Sequence, residues 1–499
     1  MSPDTTTSRR PARTPAVRRL GLVAVTVAIG LVGLGTTGVL SASGAERVTA
    51  TPRADCGPGS RPETDIQGRV PARDYASGRA ARGYTCNTRQ VAHQGRSGGF
   101  KVLRYTDRHG RTCAYYDSTL LFPRDLISNL TDGLGVVVLD MTHPAHPRRT
   151  AMLTSLAMIS PHESLLVNSK RGLLAGVLGT AATYPGVLDV YDVHSDCRHP
   201  RLLSSTPSGL LGHESGWSRD GRTFYSSSAV ATLVAIDLSD PRVPVPVFTQ
   251  LGVSYHGLRL SDDDRTLYAA NIGQVGATGL TGGGIRIIDV SEIQARRPNP
   301  SVHVLSTLTW RDHSIPQVAQ PFTRHGRHYV LEVDEFVDLF EASGLTDLAH
   351  SPVGAARIID VEDPRHPRVV SEIRLEVHQP DVRTGPQYRD PGASFAAQGY
   401  AAHYCSMPTR VDPKIAGCSM ILSGLRLFDI RDVRHPREVG YFNRPTMPGT
   451  KLGFPVVEGA YAMSQPAWDA ARRSVWYTDA NSGLYVVRLT NGIGKLLAR

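Results

Sequence analysis

The sequence predicts an all-β protein made of repeated antiparallel sheets, and the first observation behind this prediction is an internal repeat. An apolar run ends in Asp, and Pro usually follows within a few residues. The copies lie 45 to 71 residues apart and end at Asp140, Asp192, Asp237, Asp289, Asp360, Asp429 and, in a seventh copy that lacks Asp, Arg488. Self-similarity at this period, in segments rich in Val, Ile and Tyr, is typical of a β-propeller. Seven copies predict a seven-bladed β-propeller.

The second observation is a turn signal about 20 residues before each Asp. Segments such as RDGRTFYSSS from Arg219 and DDDRTLYAAN from Asp262 combine a tight turn with a short aromatic strand. Asp-Gly is a strong signal for a two-residue turn between antiparallel strands. We therefore expect four-stranded blades, with strands a and b joined by this hairpin, the repeated apolar element as strand c, and strand d after the Asp-Pro turn.

The six repeated Asp residues allow two interpretations. They could form a ring of metal or substrate ligands, or each could accept a hydrogen bond from the backbone two residues on and so shape its turn. A catalytic residue need not occur six times, so their repetition favours turn chemistry.

The chain resembles the LVIVD-repeat β-propeller proteins, exported bacterial proteins whose name echoes the strand-c pattern. Segments such as GVVVLD at Gly135 and ARIID at Ala356 carry the resemblance, which extends roughly from Gly83 to Leu489. It implies the propeller architecture and says little about activity, because propellers host many unrelated functions.

The N-terminus predicts export. Five Arg residues precede the charge-free apolar stretch 20–40, and Ser43-Gly44-Ala45 fits a small-residue cleavage site. We expect residues 1–45 to be a signal peptide, or else an uncleaved membrane anchor through residues 20–40. Either alternative places the protein outside the cytoplasm, secreted or on the extracellular face of the membrane.

The remaining chain is expected to divide into a disordered linker and the propeller. Residues 46–83 are rich in Pro, Gly, Arg and Asp, which favours a linker that adds nothing to stability. Residues 84–499 are expected to form the propeller. Because TRQVAHQGR from Thr88 resembles the strand-d segment from Arg437, we expect it to complete the seventh blade and close the ring.

Charge argues against nucleic-acid binding. The formal charge is +10, and loss of residues 1–45 removes five Arg and one Asp, which leaves +6. No block of Lys or Arg with interleaved aromatic residues is present, so we expect no nucleic-acid partner.

Six cysteines in an exported chain predict disulfide bonds. The sequence contains no Cys-x-x-Cys pair, which argues against a zinc-thiolate site. Cys405 and Cys418 flank a single loop of the sixth blade, which makes them the strongest candidate pair. Fifteen connectivities are possible for six cysteines. Pairs Cys56–Cys86 and Cys113–Cys197 would complete one of them.

Four histidines share a register. Three of them lie nine residues before the Arg of a hairpin, and the fourth is their counterpart in the sixth blade; they are His162, His213, His256 and His403. These positions fall near the start of strand a, where the blades converge on the central channel. Imidazoles suit Zn, Cu or Fe. The sequence therefore allows two interpretations. These histidines could bind one divalent transition metal, with Glu163 and Glu214 as supporting partners, or they could have a structural role alone.

A second cluster of candidate residues is acidic. Glu332, Asp334 and Glu335 end strand b of the fifth blade, where they could bind Ca²⁺ or, as we favour, form an exposed acidic strand end. Gly-x-Ser-x-Gly, His-Glu-x-x-His and phosphate-loop motifs are missing from the sequence.

Two functions remain open at this point. The favoured one is an extracellular propeller that binds a protein, glycan or small ligand at its loop-rich face. The alternative is a metal-dependent enzyme, an oxidase or hydrolase, with the histidines at the channel mouth. Whether the protein is an enzyme stays undecided on the sequence.

Overall fold

Seven antiparallel sheets form the blades of a β-propeller in the computed structural model, as the repeats predict. The structure describes residues 49–118, 133–179, 186–207, 212–228, 232–276, 279–310, 314–335, 354–379, 382, 385–393, 399–446 and 459–498. One compact unit spans Arg47–Arg499. The signal peptide or anchor expected in residues 1–45 lies outside the described residues.

The first five blades follow one another along the chain. Blade one contains β3 (Leu103–Thr106), β4 (Thr112–Asp117), β5 (Val136–Asp140) and β6 (Arg148–Leu153). Blade two contains β7 (Leu166–Asn168), β8 (Leu173–Val177), β9 (Val187–Asp192) and β10 (Arg201–Pro207). Blade three contains β11 (Glu214–Trp217), β12 (Thr223–Ser228), β13 (Thr232–Asp237) and β14 (Val245–Leu251). Blade four contains β15 (Tyr255–Leu260), β16 (Thr266–Asn271), β19 (Gly284–Asp289) and β20 (His303–Thr309), with a separate hairpin of β17 (Gln274–Gly276) and β18 (Gly279–Thr281). Blade five contains β21 (Ile315–Arg324), β22 (Arg327–Glu335), β23 (Ala356–Asp360) and β24 (Arg368–Ile373).

The last two blades each recruit a strand from the start of the chain. Blade six contains β25 (Ala402–Ser406), β26 (Ile415–Met420), β27 (Gly424–Asp429), β28 (Arg437–Asn443) and, as a fifth strand, β1 (Tyr84–Cys86). Blade seven contains β29 (Ala467–Asp469), β30 (Ser474–Asp479), β31 (Gly483–Leu489) and β2 (Thr88–Gln94). Strand β2 pairs antiparallel with β31, so the predicted ring closure is confirmed.

Helices are short in the described part of the chain. The two α-helices are α1 (Ala72–Ala76) and α2 (Ser291–Gln294). The 3-10 helices are Ala80–Arg82, His162–Ser164, Glu376–His378, Pro386–Arg389, Ile421–Ser423, Ala470–Arg472 and Ile493–Leu497. None of the helices in the described residues is long and apolar enough to cross a membrane.

The six repeated Asp residues shape turns. Each accepts a hydrogen bond from the backbone N–H two residues on, over 2.8–3.2 Å; the six are Asp140, Asp192, Asp237, Asp289, Asp360 and Asp429. The preference for turn chemistry is therefore confirmed, and the repeat that builds the fold is separate from any site.

The core lies between successive blades. One buried cluster joins Tyr115 of blade one to Leu174 of blade two, and another joins Leu331 of blade five to Tyr404 of blade six. Each blade thus covers the apolar face of its neighbour, and burial of that surface is the main stabilising contribution.

All three disulfides form as predicted: Cys56–Cys86, Cys113–Cys197 and Cys405–Cys418. The last of these joins directly paired residues of β25 and β26. None of the six cysteines is free.

The expected disordered linker 46–83 is wrong for its described part, residues 49–83. This segment packs against blade six, where Glu63 pairs with the buried guanidinium of Arg426 and Gln67 donates to Glu438 over 3.0 Å. Its polar composition suggested solvation, but the same groups are satisfied by ion pairs, and Cys56–Cys86 fixes the segment covalently. The ordered domain therefore begins well before residue 84.

Candidate metal centre

The structure brings the four predicted histidines together at one end of the channel. His162 and Glu163 lie on a 3-10 helix just before β7, His213 immediately precedes β11, and His256 and His403 lie near the starts of β15 and β25. The ring centroids of His162 and His213 are 4.5 Å apart, and those of His213 and His256 are 4.8 Å apart. The equal register in the sequence thus becomes proximity, because strand a is the innermost strand of each blade.

Glu163 lies in the middle of this cluster. Its Oε2 atom is 3.3 Å from Nε2 of His213 and 3.1 Å from Nε2 of His256. Its Oε1 atom is 3.4 Å from Nε2 of His403 and accepts a hydrogen bond of 2.8 Å from Nε2 of Gln317. Glu163 is therefore in direct contact with the imidazoles, closer than the supporting role that the sequence suggested.

A second carboxylate, Glu335, completes the centre. Its oxygens lie 2.9 Å from Nε2 of His256 and 3.0 Å from Nε2 of His403. The expectation of an exposed acidic strand end is wrong, since Glu332, Asp334 and Glu335 are all buried. The first two pair with the buried guanidinium of Arg357, at 3.1 and 2.5 Å.

A signal for Glu335 was present in the sequence. It is the last residue of strand b, which runs antiparallel to strand a, and it pairs with Ile315 at the start of strand a. The end of strand b therefore lies at the same level as the histidines. Alignment of strand-b ends with strand-a starts would have placed Glu335 beside them.

Several polar atoms of the centre are buried without a hydrogen bond among the described residues. These atoms are Oε2 of Glu163 and both ring nitrogens of His256. Nε2 of His256 nevertheless lies 3.1 Å from Oε2 of Glu163 and 2.9 Å from a carboxylate oxygen of Glu335. These atoms are held together by charge and have an incomplete set of hydrogen bonds, which is unusual for buried polar groups.

The separations suit a metal ion. Two ligands bound at about 2.1 Å and at right angles to one another lie about 3 Å apart. The contacts of Glu163, His256 and Glu335 are close to this length, and the ligand atoms of the three residues all lie within 4.8 Å of one another. The ligand role itself stays a prediction.

The orientation of His403 is the one that a ligand needs. Its Nδ1 lies 2.7 Å from the backbone carbonyl oxygen of Met463, which can only accept, so Nδ1 carries the proton and donates it. Nε2 then faces the two carboxylates. Metal-binding histidines typically donate their second nitrogen to a carbonyl or carboxylate in this manner.

Electrostatics keep the two carboxylates charged. Burial raises the pKa of Glu163, but the neighbouring His256, His213 and His162 outweigh it and hold this pKa well below its usual range. Burial lowers the pKa of His256, whereas Glu163 and Glu335 raise it to about 9. The centre is therefore an anionic pocket, and without a metal ion the protonated imidazole of His256 balances part of its negative charge.

Glu214 does not support the imidazoles as expected. Its Oε1 atom lies 2.5 Å from the buried Nζ of Lys101 and accepts a 3.0 Å hydrogen bond from the hydroxyl of Tyr404. Burial, partly offset by Glu214, lowers the pKa of Lys101 to about 8. This residue therefore belongs to a neighbouring network whose charges are already compensated.

Phe100 and Gln317 are parts of the centre that sequence reasoning missed. The Phe100 ring lies 4.1 Å from that of His162 and 5.5 Å from that of His403, so it covers the cluster with an apolar surface. Neither residue occupies a repeated position of its type, and no pattern in the sequence points to them.

Comparisons with known proteins add no function. No family model matches the sequence, and no curated protein matches it, so the LVIVD-repeat likeness stays a resemblance. Among solved structures, the chain is similar to hydrazine synthase of Kuenenia stuttgartiensis, with 13% identity and a TM-score of 0.48 over 80% of this chain and 97% of that one. It is also similar to U3-55K, with 10% identity and a TM-score of 0.47 over 81% and 98% of the two chains. Identities this low carry no functional argument.

Proposed function

We propose that the protein is a metal-dependent enzyme, an oxidase or hydrolase, whose transition-metal ion is bound at the channel mouth by Glu163, His256, His403 and Glu335. The observation that carries the proposal is the convergence of two buried carboxylates and two buried imidazoles, with the Nε2 atoms of His256 and His403 each 2.9–3.4 Å from oxygens of both Glu163 and Glu335. An ion bound there would interact with both carboxylates and with Nε2 of both imidazoles, because these atoms lie close to one another.

The donor set favours Zn, Fe or Cu. It combines imidazole with carboxylate and contains no thiolate, since all six cysteines are in disulfides. When bound, such an ion lowers the pKa of a coordinated water and polarises a substrate oxygen. The side chain of His213, next to Glu163, is 15% exposed, so the centre is within reach of solvent on that side.

Residues around the ligands hold them in place. Gln317 donates to Glu163, and the Met463 carbonyl accepts from His403, so both ligands are oriented before any ion arrives. Phe100 limits the access of water to one face of the cluster. Prepositioned ligands in a partly dry pocket are what metal catalysis requires of a protein.

We further propose that the enzyme works outside the cytoplasm. Three disulfides support an oxidising compartment, and the apolar stretch 20–40 after a basic N-terminus supports export. The centre itself contains two carboxylates, and the chain without residues 1–45 has a formal charge of only +6. Neither feature gives a reason to expect nucleic acid as the substrate.

Elemental analysis of untagged protein tests the proposal against the purely ligand-binding propeller. Wild type reconstituted with Zn, Cu or Fe should hold stoichiometric metal, and the His213→Ala/His256→Ala double variant should lose it. A matched His366→Ala/His435→Ala double variant changes two surface imidazoles, each with an 81% exposed side chain, and should keep the metal. Wild type that remains metal-free after all three reconstitutions would overturn the proposal and favour the binding protein.

A further inference from the structure

We propose that the centre holds two divalent ions, with Glu163 as the ligand they share. The second ion would lie between His162, Glu163 and His213, beside the ion bound by His256, His403 and Glu335. This inference rests on the proposed function and deepens it, since it concerns how many ions the same centre holds and how they are linked.

The donors of the centre fall into two sets. The ligand atoms of His162, Glu163 and His213 lie within 4.8 Å of one another, and so do those of Glu163, His256 and Glu335. Ligands of one ion cannot lie much farther apart than twice the bond length, about 4 to 5 Å. Glu163 is the residue common to both sets, so it is the natural bridge.

The position of Glu163 fits a bridge. Its Oε2 atom lies almost equally far from Nε2 of His213 and Nε2 of His256, 3.3 and 3.1 Å. These two imidazoles belong to different sets, and their rings stand at 86° to one another. A carboxylate between two sets of imidazoles can bind one ion on each side, at the separation of about 3.5–4 Å typical of two-metal sites.

The backbone of His162 supplies a second, independent observation. His162 has a φ of 51°, in the left-handed region, which is a strained conformation for a residue other than glycine. His162 is the first residue of the 3-10 helix, and Glu163 follows it directly. The centroid of the His162 ring lies 4.1 Å from that of Phe100 and 4.5 Å from that of His213. Strain of this kind is retained where the surrounding structure fixes a functional side chain.

Two ions this close would favour the hydrolase form of the proposed function. A pair of ions can stabilise both the attacking and the leaving oxygen of a displacement, which a single ion does less well. Water would supply the attacking oxygen, and the leaving group would depart with the proton, so no oxidant or reductant is needed.

Manganese binding tests the pair, with Mn²⁺ as the probe and equilibrium dialysis and electron paramagnetic resonance as readouts. Wild type should bind two Mn²⁺ per chain, and their spectrum should show magnetic coupling in place of the hyperfine pattern of isolated ions. His162→Asn should bind one, because Asn tolerates the left-handed backbone and removes the imidazole. His213→Gln should also bind one, and it guards against misfolding of the first variant, which circular dichroism checks.

The matched control is His366→Ala, which should bind two coupled ions as wild type does. One Mn²⁺ per wild-type chain, or two without coupling, would overturn the bridged pair and leave the single-ion function intact. No bound Mn²⁺, Zn, Cu or Fe would overturn both proposals, so the two failures are distinguishable.

Discussion

Two buried charged clusters in this propeller differ in how well their polar atoms are satisfied. At blade six, Arg426 donates to the Ser423 carbonyl over 2.9 Å and to Glu438 over 3.0 Å, and also to Glu63. Both carboxylates accept further hydrogen bonds, from Gly68 and Gln67. At the channel mouth, Glu163 and His256 are equally buried, yet Oε2 and both ring nitrogens make no hydrogen bond to any described residue.

The number of unsatisfied polar atoms distinguishes a structural cluster from a candidate functional one better than burial does. The Arg426 cluster makes a complete set of hydrogen bonds, so we infer that it stabilises the packing of the N-terminal segment against blade six. An incomplete set, in a ring of imidazoles and carboxylates, leaves room for a cation. Perturbed pKa values occur in both, so they do not distinguish the two clusters on their own.

The largest effect is expected from deletion of residues 46–80, which removes Glu63, Gln67 and the Cys56–Cys86 bond. The disulfide spans 30 residues and contributes about 3.5 kcal/mol in the chain-entropy account, and the loss of the ion pairs adds to this. Urea unfolding of the truncated protein should show a loss larger than that of the disulfide alone, with metal content unchanged. Unchanged stability would mean that the segment is a linker after all.

Arg426→Met should cost about 3–5 kcal/mol, because it leaves Glu63 and Glu438 buried without their cation. Arg431→Met is the matched control. Its guanidinium pairs with Asp429 but is 59% exposed, so its loss should cost less than about 1 kcal/mol. Equal effects of the two variants in denaturant unfolding would contradict the structural role of the blade-six cluster.

The stability of the metal-free wild type, measured relative to His256→Gln, should fall as pH rises from about 6.5 to 9; the comparison cancels the opposite contribution of Lys101, whose pKa is about 8. The pKa of His256 is raised to about 9 in the folded state, against about 6.5 when unfolded, so its contribution is complete below pH 6.5 and lost by pH 9. At about 1.4 kcal/mol per pKa unit the whole window is worth about 3 kcal/mol. Unfolding free energies of wild type and His256→Gln measured across this window should converge at high pH; parallel curves would argue against the pairing with Glu163 and Glu335.

The smallest effect is expected at Gln317, which orients Glu163 without contacting an ion. Gln317→Met should weaken metal binding about 10- to 100-fold while leaving one ion able to bind. Gln387→Met is the control, because this buried glutamine donates to the Val377 carbonyl instead. Competition titrations with a chelator measure both affinities, and equal affinities would rule out the orienting role.

Much of the fold could be predicted from the sequence because a propeller repeats its chemistry. The Asp turns and the hairpins recur in a fixed register, the closing strand β2 resembles strand d of the sixth blade, and all three were confirmed. The prediction for residues 49–83 was wrong because composition shows only that a segment is polar. Glu63 and Gln67 make their hydrogen bonds with residues more than 350 positions away, which composition does not show.

The candidate site was predictable only where it follows the repeat. The four histidines share a register and were found together, whereas Glu335 required the pairing of strands a and b within one blade. Gln317 and Phe100 reach the centre through tertiary contacts alone. Glu163 and Glu214 each lie in the sequence His-Glu-Ser, yet Glu214 pairs with Lys101, so the same tripeptide in two blades serves two roles.

Anomalous diffraction at the zinc absorption edge, from crystals of wild type grown with Zn²⁺, tests the central claim most directly, because it locates a metal without reference to activity. The account predicts an anomalous peak about 2.0–2.3 Å from a carboxylate oxygen of Glu163 and from Nε2 of His256, with Glu335 also bound. Crystals of Glu163→Gln grown in the same way should show no such peak. Wild-type crystals without a peak at the channel mouth, or with peaks only at exposed surface residues, would contradict the account.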